Sequence, residues 1–199
     1  MNPERSGLLA FAALAILCAG PARAASDPAA VRIEGLCGGL IDAAKASKGV
    51  APQARARKLE PLVETNFNLE AMTQFVIGEG WAKISPSDRS GLVAALNRYM
   101  AARYAHEFEN YSGQRCVVDP TVVTRGVDKL VKSQIAGRDD KSSVNYRLRE
   151  YGGSWKVIDI YYEGVSQLAT QRADFATTLQ AGGAPRLIVK LNELTAAMR

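Results

Sequence analysis

A β-hairpin that runs straight into a helix start is written between Val144 and Ser166, and it constrains the fold more than any other stretch of the chain. Val144, Tyr146 and Leu148 alternate with Asn145, Arg147 and Arg149, the period of two that a strand with one dry and one wet face requires. Gly152-Gly153 supplies the positive-φ positions of a tight turn. The return run, Trp155 to Tyr162, is denser in large apolar residues, so it is expected to be central or covered, with helices against the sheet. Tyr146 and Leu148 are expected to look inward, and Arg147 and Arg149 to face solvent.

Two earlier runs, Cys116 to Thr124 and Val127 to Ile135, read as strands, with turns at Arg125-Gly126 and Gly137 to Lys141. With Ser142 to Tyr151 and Trp155 to Tyr162 they predict a four-stranded antiparallel meander. Helical periodicity fills the rest. Ile33, Leu36, Leu40, Ile41 and Ala44 share a face of a helix over 28–48; Leu59, Leu62 and Val63 mark a second over 52–64, with Pro61 expected to kink or break it. Asn68 caps a third, stopped by Gly78 and Gly80, and Ser85-Pro86-Ser87-Asp88 opens a long fourth that lasts to Tyr111-Ser112-Gly113. Helix returns from Val165 to Gln180, ends at Gly182-Gly183 and restarts at Pro185. Helices, then sheet, then helices make an α+β fold: helices packed on a four-stranded antiparallel sheet.

Residues 1–24 read as an address. Arg5 precedes an apolar run from Leu8 to Leu17, and Ala22-Arg23-Ala24 is a small-x-small cleavage site before Ala25. The run is too short to span a bilayer, which needs roughly 20 residues, so the chain is expected to be exported to the periplasm as one domain, 25–199. Paired arginines for a twin-arginine route are missing, and Cys18 follows Leu17 where lipoprotein processing wants a small residue. The net charge of +5 is a mild bias with no basic run, so nucleic acid is not an expected partner. An oxidising compartment permits Cys37 and Cys116 to pair and tie the first helix to the first strand; two buried free thiols are the alternative.

Catalysis needs convergent groups with tuned pKa values, and the sequence offers little. His106 is the sole histidine and sits mid-helix. Asp159 and Glu163 lie four apart on one strand, roughly 13 Å from each other, too far to share a proton. No cofactor, metal set or catalytic residue is assigned. A small enzyme using Asp159, Glu163 or His106 remains one rival reading, and an assembly module without cargo another. The chain's excess is apolar surface on elements that must face one another. Phe67, Met72, Phe75, Trp81, Leu96, Tyr99, Met100, Tyr104 and Phe108 come from the helices, and Tyr146, Leu148, Val157, Ile160 and Tyr161 from the sheet. These either close as an ordinary core or leave an apolar, lipid-sized cleft.

The order of segments resembles the MlaC-like, toluene-tolerance family of exported lipid-binding proteins. The resemblance is carried by Phe67-Asn68-Leu69-Glu70-Ala71-Met72 leading to Gly78 and Trp81, by Ser85-Pro86-Ser87-Asp88-Arg89, by Arg103-Tyr104-Ala105, by Tyr146-Arg147-Leu148-Arg149, by Gly153 to Asp159, by Glu163-Gly164-Val165-Ser166 and by Arg172 to Phe175. Within it, Tyr111-Ser112-Gly113-Gln114-Arg115, Arg125-Gly126-Val127-Asp128 and Leu191-Asn192-Glu193-Leu194 are similar to the hopanoid-associated HpnM branch. The resemblance implies an NTF2/cystatin-like fold around an apolar cavity, with the fourteen apolar residues above as lipid-binding candidates. It also implies a soluble shuttle of hopanoid or phospholipid between inner- and outer-membrane transport proteins, with transient membrane contact. Gly78 to Gly80 and Gly164 are its candidate hinges.

Overall fold

A computed structural model describes residues 26–198; the expected leader lies outside the described residues. Helix α1 (Pro28–Lys45) begins where Asp27 accepts the Ala29 N–H at 2.8 Å, with Pro28 in the first turn. Helix α2 (Pro52–Asn66) continues through Pro61, against the expected break. Pro61 and Arg57, whose carbonyl loses its partner, are both exposed, so water can take the place of the missing bond. Phe67 then turns extended and bridges to Val157, and the Asn68 N–H donates to the Val157 carbonyl at 2.9 Å. Asn68 also caps α3 (Leu69–Ile77), its Oδ1 accepting the Ala71 N–H at 2.9 Å. Ser85 caps α4 (Pro86–Glu107) by accepting the Asp88 N–H at 3.1 Å, and a single 3-10 turn, Phe108–Asn110, prolongs that helix.

The sheet has seven strands rather than four: β1 (Arg115–Val118), β2 (Val123–Arg125), β3 (Asp128–Val131), β4 (Ser133–Ala136), β5 (Lys141–Tyr151), β6 (Ser154–Tyr162) and β7 (Val165–Ser166). The first two expected runs are each broken in the middle. Pro120 has no N–H to give to a ladder, so the run from Cys116 divides into β1, which pairs with β4, and β2, which pairs with β3. The second run divides at Lys132, where the Ser133 N–H leaves the ladder for Asn145 Oδ1 at 3.2 Å. The long β5 is the spine. One edge takes β4 along Lys141–Ser143 and β3 along Tyr146–Arg149, and the other takes β6, which carries β7.

Helices cover the face of the sheet that bears Tyr146, Leu148 and Val157, all 2% exposed or less. Ile33 and Leu36 of α1, Leu59 and Val63 of α2, and Leu92 of α4 close the same core. Helix α5 (Gln167–Ala197) is interrupted at Gly182 and Gly183, the latter at φ 61°, a left-handed conformation that glycine accepts without strain. Its second half returns to the core through Leu187 and Leu191. No helix among the described residues is long and apolar enough to cross a membrane.

On the opposite face, Arg147 and Arg149 are not free to meet an external anion. Both donate to Asp128, whose side chain is 6% exposed, Arg149 Nε at 2.6 Å and Arg147 Nε at 2.7 Å. The Arg149 hydrogen bond, with help from Arg147, holds the Asp128 carboxyl below the usual range despite its burial. A depressed carboxyl contributes stability above its unfolded pKa and loses it as pH falls through the folded value. Asp128→Asn is therefore expected to cost about 1–2 kcal/mol at neutral pH, limited by water around the half-exposed arginines. Urea titrations below pH 4 should show the gap between the two proteins closing.

Candidate functional site

The helical stripe and the sheet do not meet everywhere. Met100 and Tyr104 on α4 and Phe108 just beyond its end, spaced by four, form one wall of a cavity of about 590 Å³. Val144 and Tyr146 of β5 with Ile160 and Tyr162 of β6 form the facing wall, and Cys37, Leu40, Ile41 and Ala44 of α1 lie along a third side. Met72 of α3 and Leu168 at the start of α5 complete the apolar lining. The volume is within the roughly 300–1,000 Å³ of small-molecule sites.

Cys37 and Cys116 are joined as a disulfide, Cα to Cα 5.8 Å, and both halves lie in the cavity wall. The bond fixes α1 to β1, as one of the two sequence readings had it. Four phenols line the cavity, Tyr104, Tyr111, Tyr146 and Tyr162, and in two of them the pKa is raised. Burial pushes the Tyr146 hydroxyl up to about 12; burial, with the neighbouring Tyr146 adding to it and Arg103 opposing, lifts Tyr104 well above 10. Both stay neutral at ordinary pH, so these two phenols add polar tips without charge to a largely apolar interior. Ionised groups in the lining are Arg103, Glu107 and Asp140, all exposed, and Asp159.

Asp159 is fully occupied by structure. Its carboxylate accepts the Ile160 N–H at 2.8 Å, the Ser166 hydroxyl at 2.7 Å and the Leu168 N–H at 3.2 Å, anchoring the N-terminus of α5. Glu163 is exposed and accepts the Ser143 N–H at 2.7 Å, while His106 sits exposed beside Glu109. These three residues do not converge.

Of the fourteen cavity candidates, Met72, Met100, Tyr104, Phe108, Tyr146 and Ile160 line this space. Leu96, Leu148 and Val157 are instead sealed in the core, where neighbouring side chains fill both sides. Phe67 and Trp81 lie below a second, more polar groove of about 610 Å³ between α4 and the α2–α3 junction. Tyr99 packs edge-on to Phe175 at 6.5 Å between ring centres, and Tyr161 stands beside Arg147. Phe75 is 44% exposed under the Arg172 guanidinium, because α3 presents that turn outward. The α1 wall was missed as part of a site, although its i, i+3, i+4, i+7 stripe is plain in the sequence. What distinguishes a cavity-facing stripe from a core-facing one is the distance to the sheet, which periodicity does not report.

The model of the MlaC protein family matches residues 39–193. Among solved structures, a phospholipid-binding protein from Ralstonia solanacearum, determined in complex with a phospholipid, superposes with a TM-score of 0.69 at 21% sequence identity, over 86% of this chain and 99% of that one. At that identity the likeness is one of fold, and the fold is α+β with the same layers. The family match spans both walls of the cavity, from Leu40 on α1 to Gln171 on α5, and on that match the chain belongs to the MlaC family.

Proposed function

We propose that the chain is an exported lipid carrier that holds an acyl or polycyclic tail in the cavity between α1, α4 and the sheet and delivers it between membrane-bound transport proteins of the periplasm. The observation that carries this reading is the largely apolar cavity of about 590 Å³ in a member of the MlaC family. The Ralstonia solanacearum protein of like fold binds a phospholipid, which supports lipid as the ligand class. The physical gain is direct. Apolar surface in water costs roughly 25 cal/mol per Å², or about 0.8 kcal/mol per CH₂, and a dry slot removes that cost during transit.

A hopanoid is the second reading of the cargo. It is favoured by the Tyr111 to Arg115 segment, which is similar to the HpnM branch and places Tyr111 and Gln114 in the cavity lining. An enzyme built on Asp159, Glu163 and His106 is disfavoured, since the first is spent on capping α5 and the other two are exposed and outside the cavity lining.

The test is to purify the protein from cells, extract it with organic solvent and identify co-purifying lipid by mass spectrometry. Loaded phospholipid or hopanoid is the expected result, and Ile160→Glu, which puts a carboxylate into the apolar wall, should reduce loading by at least about tenfold with helix content near that of the parent. A parent protein that never carries lipid would sink the proposal.

A further inference from the structure

Four buried side-chain polar atoms have no hydrogen-bond partner among the described residues, and two of them, Arg89 Nε and Asn97 Oδ1, belong to residues that line the second groove. One is a donor and the other an acceptor, and a buried polar atom left unmet is costly. Arg89, Val93 and Asn97 recur every four residues on α4, so they run along one face of the helix. At the rise of an α-helix, Arg89 and Asn97 stand about 12 Å apart along its axis.

The two ends of this row carry opposite charge. The Arg89 guanidinium lies 5.2 Å from the centre of the Trp81 ring and gives one N–H to the Ala82 carbonyl at 3.1 Å, and among the described residues no carboxylate pairs with it. Arg55 meets Glu109 at 2.8 Å, which ties the start of α2 to the far end of α4. The two helices therefore run antiparallel, and Glu64, in the last turn of α2, falls toward Asn97. Glu64 is exposed and also has no ion-pair partner among the described residues. The other two charges of the groove are engaged by the fold. Lys156 donates to the Thr65 carbonyl, and Glu70 sits in the first turn of α3, where the helix dipole favours it. Phe67 and Leu69, both buried, give the groove an apolar floor.

We propose that this groove binds a short peptide with free termini, its carboxylate on Arg89 and its amine on Glu64 and the Asn97 amide oxygen. Guanidinium and carboxylate make a strong, charge-assisted pair, and an ammonium has donors enough for a carboxylate and an amide oxygen together. An extended chain advances about 3.3 Å per residue, so three or four residues reach from one pole to the other. A single amino acid is too short, and a peptide with a capped end loses one pole. The groove shares no lining residue with the lipid-sized cavity, so the peptide site is independent of the lipid-carrier reading.

Calorimetric titration of the protein with alanine and with alanine peptides of two to five residues tests this. Trialanine or tetraalanine should bind at least about fivefold more tightly than alanine, dialanine or pentaalanine, since only they answer both poles. Acetylation of the amine and amidation of the carboxylate should each weaken the tighter of the two about tenfold, the size of a hydrogen bond to a charged group. Arg89→Gln should remove the penalty for amidation and keep that for acetylation, and Glu64→Gln should do the reverse. The length optimum and both capping penalties are read on the parent protein, so a variant that fails to fold leaves the test intact. No binding of any peptide, equal binding at every length, or capped peptides that bind as well as free ones overturns the proposal. A capping penalty that survives both substitutions overturns the assignment of the poles. Co-purifying lipid is measured separately, so each of these failures leaves the carrier reading standing.

Discussion

Changing Cys37 and Cys116 to serine is expected to destabilise the protein by about 2–5 kcal/mol, which for a domain of this size lowers the melting temperature by roughly 10 °C. The bond joins residues 79 apart in sequence, so it restrains a long loop in the unfolded chain, and long loops gain most from closure. Its effect should not be global only. β1 has β4 as its sole strand partner, and the disulfide is its covalent tie to α1, so the cavity wall built by Leu40, Ile41 and Ala44 should loosen first. Thermal melts with and without reductant check this. The parent should become as labile as the double serine protein when reduced, and the serine protein should not respond.

Leu148→Ala is expected to cost about 2–5 kcal/mol. Leu148 is 0% exposed in the middle of β5, with β3 on one side and β6 on the other, so the space it leaves cannot collapse without moving two strand pairs. Phe75→Ala offers the contrast. Despite its larger ring, Phe75 is 44% exposed under Arg172, and its truncation should stay within about 1 kcal/mol. Equilibrium unfolding in urea measures both, and similar losses at the two sites would contradict the placement of α3.

These two residues show what was legible in the sequence and what was not. The alternation of Tyr146 and Leu148 with arginines located the buried face of β5, because period two is a local property of a strand. The helix starts at Asn68 and Ser85 and the break at Gly182-Gly183 were legible for the same reason, since caps and turn glycines act within a few residues. Phe75 lies on an apolar run, and nothing local says that α3 turns it outward. The split of the strands was half legible: Pro120 was in view, but the departure of Ser133 to Asn145 depends on a residue twelve positions away. The site followed the same rule. Met100, Tyr104 and Phe108 were legible as a stripe, whereas the separation that makes their stripe a cavity wall and seals Leu96 in the core is set by how far α4 stands from the sheet.

The ends of the sheet carry one more consequence. The strands that end the sheet are β1, β2 and β7, of four, three and two residues; β5 is paired on both sides at least in part, and the outer edge of β6 is held by β7 at Tyr161 and Tyr162 and by the Phe67 bridge at Val157. A carrier that opened an apolar interior to unload, as proposed, would be at hazard of sticking to its own copies through exposed strand edges. End strands this short give an incoming strand little to zip onto, so opening of the proposed carrier need not seed fibrils or tangled oligomers.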